Sequence, residues 1–171
     1  MPSRNAPAAT PVDAVAARAQ AETELASFIA KFEPERAELI RACRAELRTI
    51  LPTAIELVYD NYNFFVIGYC SSERASDCIV SIAAAANSVG LSFYYGAALS
   101  DPSGILEGSG KQNRFIRLPT SSRLQDPEVL RLIHAAAAHG KTRLPSSTPG
   151  HLVIKSVSAK QRPRQRGKSA A

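Results

Sequence analysis

Residues 104–114 read GILEGSGKQNR: three glycines, a lysine and an arginine within eleven positions, behind the turn-forming SDPS of residues 100–103. Such a stretch could hold a small anion, because glycines let successive amides point into one concavity and Lys111, Arg114 and Arg117 would add positive charge. A nucleotide-hydrolysing loop needs more: a glycine, four residues, Gly-Lys, then a Ser or Thr to bind magnesium. Here five residues separate Gly104 from Gly110, and Gln112 follows Lys111, so both the spacing and the metal ligand are wrong. The dinucleotide fingerprint fails too, since Gly108 and Gly110 are followed by Asn113 at the third glycine position. Two readings stay open. In one, Asp101, Gly108, Gly110, Lys111, Arg114 and Arg117 form an anion site. In the other, Asp101 and Pro102 start a turn, the glycines supply positive φ, and Lys111 or Arg114 pairs with Asp101 or Glu107. The turn is favoured, because neither a histidine nor a carboxylate pair accompanies the basic residues.

Other chemistry is sparse. His134 and His139 are five apart, about 140° around a helix axis, and so cannot share a metal as an i, i+4 pair does. Cys43, Cys70 and Cys78 form no CxxC pair, and with the scattered histidines they do not supply a zinc site. They read as small core residues of a chain in a reducing compartment.

The elements that would position these residues follow from periodicity. Leu25, Phe28, Ile29 and Phe32 have helical spacing, and Pro34 suits the first turn of a second helix running to about Leu51. There Leu39, Ile40, Cys43, Leu47, Ile50 and Leu51 make an apolar stripe, with Glu35, Arg36, Glu38, Arg41, Arg44 and Arg48 left mostly for solvent. From Ile55 the runs IELVYD, NFFVIGYC, CIVSIAAAA and VGLSFYYG are rich in β-branched and aromatic residues and separated by turn compositions, and RFIRL at 114–118 is a fifth strand. A last helix has Asp126 to cap it, Pro127 and Glu128 in its first turn, an apolar face of Val129, Leu132, Ile133, Ala136 and Ala137, and Gly140 to stop it. The expected fold is α+β: an antiparallel sheet of about five strands covered by amino-terminal helices and a carboxy-terminal helix.

The stretch LSFYYGAALSDPSGILEGSGKQNRFIRL, preceded by IELVYDNYN and followed by DPEVLRLIHAAAA, resembles the YdhG-like domain family, a domain of unknown function. The resemblance covers about residues 24–140 and rests on Phe93, Gly96, the Asp101-Pro102 turn, Leu106, Gly108, Gly110-Lys111 and Arg114. It implies a frataxin-like α/β sandwich, and some relatives are intracellular iron chaperones. It implies no catalytic residues. Iron would call on the acidic amino-terminal helices, with Glu35 and Glu38 as the ligands, yet the interleaved arginines pair with those acids, as Glu38 can with Arg41 at i, i+3. In the family pattern Tyr59, Asn61, Tyr94 and Tyr95 either line a polar pocket with Lys111 and Arg114 or anchor a hairpin and the sheet edge.

The totals bound the rest. A chain of 171 residues carries one domain, here residues 23–145, and the net charge of +6 is unevenly placed. Six basic residues and no acid lie at 155–171, while the other 15 basic residues balance 15 acids. Residues 1–22, rich in Ala and Pro, are expected to be disordered, and 146–171 to be a flexible basic tail able to hold nucleic acid weakly and without sequence preference. No run approaches the roughly 18 apolar residues of a membrane span, and no signal peptide is recognisable, so a cytoplasmic location is expected. The leading expectation is a small non-enzymatic domain without cofactor that binds an anion or partner at the loop from Asp101 to Arg117; the alternatives are iron handling and nucleic-acid binding through the tail.

Overall fold

The computed structural model describes residues 10–167. Helix α1 (Pro11–Ile29) begins well before Glu22, against the expectation of disorder. The reason is local. Thr10 Oγ1 accepts from the Asp13 amide at 3.2 Å, the Asp13 carboxylate takes the Thr10 amide at 3.0 Å, and Pro11 occupies the first turn ahead of an alanine-rich run of high helix propensity. The part of that expectation that falls on residues 1–9 lies outside the described residues. Pro34 opens α2 (Pro34–Ile50), which buries Ala37, Ile40, Cys43 and Leu47.

The strands β1 (Ile55–Asp60), β2 (Phe65–Cys70), β3 (Cys78–Ala85), β4 (Ser88–Phe93) and β5 (Arg114–Arg117) form the expected antiparallel meander. Helix α3 (Pro127–His139) follows. Asp126 sits at its amino-terminal cap position, but the Asp126 carboxylate takes Arg123 instead of a helix amide.

The correction comes at the carboxy terminus. Residues Leu152–Val157 are not a flexible tail but a sixth strand, β6, which pairs parallel with β1. The sheet, of order β5-β4-β3-β2-β1-β6, is therefore mixed. The basic composition of 155–171 hid Leu152, Val153 and Ile154, whose β-branched and aliphatic side chains suit a pleated surface. Some of the tail's charge is absorbed by the fold: Lys155 Nζ donates to the Glu73 carbonyl at 3.2 Å, Arg162 lies over the Tyr62 ring, and Arg164 is buried against Asp60.

Register explains which face is covered. Val58, Ile67, Ile82, Leu91 and Ile116 stand opposite one another across five strands, with Ile154 beyond Val58, giving one aliphatic row. That row joins Leu25 and Phe28 of α1, Ile40 and Leu47 of α2, and Leu132 and Ile133 of α3 in one core. Each fully buried aliphatic side chain of this kind contributes about 1.5–3 kcal/mol. The fold is thus an α/β sandwich with helices on one sheet face. Rows on the other face carry small side chains, among them Gly68, Ser81 and Ser92, and Ala83 and Gly90. Among the described residues no helix is long and apolar enough to cross a membrane.

Candidate functional site

The glycine loop joins β4 to β5, and a strand follows Lys111 rather than a helix. Its geometry is that of a turn. The Asp101 carboxylate accepts from the amides of Ile105 at 3.1 Å and Leu106 at 2.9 Å, and the Asp101 carbonyl accepts from the Gly104 amide at 3.1 Å. Gly104 and Gly108 take φ of 64° and 110°, conformations that a side chain would strain. Glu107 and Phe115 then exchange backbone hydrogen bonds of 2.8 and 3.0 Å, which zips the loop onto β5.

The basic residues do not converge. The Arg114 guanidinium donates to the carbonyls of Gly110 and Asn113, and Arg117 lies 3.6 Å from Glu107. Neither Lys111 nor Arg114 pairs with Asp101, whose oxygens are occupied by amides. Lys111 is exposed and lines none of three surface concavities. Replacing Asp101 by alanine orphans two amides held by a charged acceptor and is expected to cost about 1–3 kcal/mol in urea denaturation, while Lys111→Ala should stay within about 0.5 kcal/mol.

The iron expectation on Glu35 and Glu38 finds no cluster. Glu38 faces Arg41 at 3.5 Å on an exposed helix surface. Among the described residues no group of three or more His, Cys, Asp or Glu side chains could hold a metal ion.

A surface concavity lies elsewhere, at one end of the sheet. A cavity of about 500 Å³ opens between the β2–β3 turn, the start of β3, the segment after β4 and the carboxy-terminal end of α3. Its lining combines apolar groups, Ile79, Leu99, Ala136 and the Tyr95 ring, with polar ones, Ser71, Arg74, Asp77, Lys141 and Thr142. Asp77 fixes the turn, accepting from Ser72 Oγ at 2.5 Å and from Arg74 Nε and Nη2 at 3.1 and 2.9 Å. Ser72 first, then Arg74, hold its carboxyl below the usual range. Tyr95 donates its hydroxyl to the Ser76 carbonyl at 2.8 Å, and its ring stands 6.1 Å from that of His139.

The tyrosine-asparagine set divides. Tyr95 lines the cavity, Asn61 belongs to the β1–β2 turn, where its amide donates to the Phe64 carbonyl at 3.0 Å, and Tyr59 lies near Tyr94 and two cysteines. None of the three concavities among the described residues has Lys111 or Arg114 in its lining together with these residues. Cys43 and Cys70 are buried as expected, whereas Cys78 is half-buried and stands opposite Cys70 across β2 and β3. The sequence offered a signal for that pairing only through the hairpin: two cysteines eight residues apart on consecutive antiparallel strands. No protein-family model, curated protein or solved structure matches the chain.

Proposed function

We propose that this domain is a binding module for a small organic anion, and that its site is the cavity between the β2–β3 turn and the end of α3. The observation that carries the reading is the mixed lining of that cavity, in which apolar Ile79, Leu99 and Ala136 occur together with the cationic Arg74 and Lys141. Its volume of about 500 Å³ lies within the roughly 300–1,000 Å³ of small-molecule sites. A ligand with an apolar body and a carboxylate or phosphate matches this lining. Arg74 is braced by Asp77, and Lys141 extends from the residue after the α3 cap. This reading moves the anion away from the glycine loop, because Lys111 and Arg114 line none of the three concavities.

On this reading the YdhG-like resemblance describes the scaffold, and the iron handling of some relatives does not carry over, because the acids of α2 are dispersed along an exposed face. Calorimetry with a panel of carboxylated and phosphorylated small molecules tests the proposal. Lys141→Glu should weaken binding by roughly tenfold or more, about 1.4 kcal/mol per factor of ten, and Lys111→Glu should leave it unchanged. The reverse pattern would return the site to the loop.

A further inference from the structure

Cys70 ends β2, Cys78 opens β3, and the two are register partners. Residues opposed across an antiparallel pair have Cα atoms roughly 4.5–5.5 Å apart, inside the roughly 4.4–6.8 Å that a disulfide spans. The register shifts between Tyr69 and Cys70, so β3 holds one extra residue there. Such a bulge re-aims side chains, and here it brings Cys78 to the side that Cys70 occupies. Gly68 supplies the room. A Cβ on Gly68 would lie 3.3 Å from Cys78 Sγ and 3.5 Å from Cys70 Sγ, so both sulfurs sit over the notch left by the missing side chain.

The surroundings distinguish the two thiols. Cys78 is half-buried and lines the cavity of about 500 Å³, whereas Cys70 is 1% exposed. The hydroxyl of Tyr59 is buried near both, with no hydrogen-bond partner among the described residues, and is free to donate to a thiolate. Hydrogen bonding to Cys78 and burial push the Cys70 thiol far above its ordinary value, and Cys78 is the thiol that a disulfide entering the cavity meets first. Cys43 is a bystander, fully buried in the helical layer and pushed up to about 11 by burial.

We propose that Cys70 and Cys78 form a redox-active dithiol, oxidised to a cross-strand disulfide by a low-molecular-weight disulfide that enters through the cavity. The Cys78 thiolate attacks one sulfur of the incoming disulfide, forming a mixed disulfide and expelling a thiolate, which takes up the proton that Cys78 released. The Cys70 sulfur then attacks Cys78 Sγ as its own proton leaves. A second thiolate departs and takes that proton. Two protein thiols are oxidised and one disulfide becomes two thiols, so atoms and electrons balance. This goes beyond anion binding and does not depend on an anion being bound.

The test uses an uncharged oxidant, so that loss of anion binding and loss of this chemistry are separable. The folded full chain is incubated with bis(2-hydroxyethyl) disulfide, quenched in acid, alkylated in denaturant and weighed intact. Free thiols should fall from three to one, with the disulfide mapped to Cys70 and Cys78 and no adduct retained. Cys70→Ser should stop at an adduct on Cys78, and Cys78→Ser should react at least about tenfold more slowly than the native chain. If either variant fails to fold, the native time course decides, since a transient adduct must precede ring closure. A stable adduct on the native chain, oxidation of Cys43 at a similar rate, or reaction only after unfolding in urea would overturn the proposal.

Discussion

Replacing Asp60 by alanine is expected to cost about 3–5 kcal/mol, because it strips a buried cation of its charged partner. Asp60 is the last residue of β1, and its side chain is 1% exposed. Oδ1 accepts from Arg164 Nη2 at 2.9 Å and Oδ2 from Lys31 Nζ at 2.5 Å. Lys31 is partly exposed and can turn to water. Arg164 cannot do so in place: its side chain is 3% exposed, it sits over the Phe32 ring, and its remaining donors reach the carbonyls of Asn61 and Asn63. Its Nε already lacks a partner, so little is left to compensate the lost carboxylate. The chain should respond by releasing Arg164 and the segment that follows β6. Arg164→Ala should be milder, at about 1–3 kcal/mol, since Asp60 keeps Lys31. The double variant should cost less than the sum, because the orphaned cation is then absent. Urea denaturation gives the energies, and trypsin cleavage after Arg164, which is buried in the native fold, reports release of the segment in the Asp60→Ala chain. An Asp60→Ala loss below about 1 kcal/mol would mean that Arg164 has an alternative seat.

Helices and strands with a strong apolar period were legible in the sequence; features that depend on a distant partner were not. The face of α3 made by Val129, Leu132 and Ile133 is buried as its spacing demands, and β1 to β5 fall within a few residues of the runs that marked them. The turn at Asp101 was also readable, because an Asp-Pro start and glycines at positive φ are local chemistry. β6 was not, since its aliphatic residues adjoin a basic composition and its pairing partner, β1, lies some ninety residues earlier. The cavity draws on four separate chain segments, so no spacing rule could announce it. Cys70 and Cys78 oppose each other only because a bulge shifts the register by one residue, which no alternation pattern encodes. Arg44 is the plainest case. As one of seven charged residues on α2 it looks solvated, yet its side chain is 14% exposed, because Glu56 of β1 turns toward the helices.

That inward carboxylate carries the second large effect: Arg44→Met is expected to destabilise the domain by about 3–5 kcal/mol. Arg44 clamps two carboxylates at once. Nε and Nη2 reach Glu56 at 2.9 and 2.7 Å, while Nη1 and Nη2 reach Glu22 of α1 at 2.8 and 2.7 Å, so one guanidinium ties α1, α2 and β1 together. Glu56 is 5% exposed, and its other bond comes from the Tyr69 hydroxyl at 3.1 Å. Without Arg44 it would remain as a buried anion held by one phenol. Pairing Arg44→Met with Glu56→Leu should restore most of the loss, since two apolar side chains of similar volume remove both desolvation costs. Recovery of less than half would show that the clamp also sets how the helices sit on the sheet. The pH profile separates the members. Arg44 holds the Glu22 carboxyl below its ordinary 4.5, so this contribution is present above that value and is lost as pH falls through the lowered one; Arg44→Met should flatten that acid limb. Burial, then the Glu56 charge, keep the Tyr69 phenol well above its ordinary 10.0, so stability is full below that value and falls as pH rises past it, where the unfolded chain releases a proton that the folded one retains. Tyr69→Phe should reduce the alkaline limb, to which Cys43, Cys70 and Tyr59 also contribute, while leaving the acid limb in place, an outcome that a merely structural role for the ring would not produce.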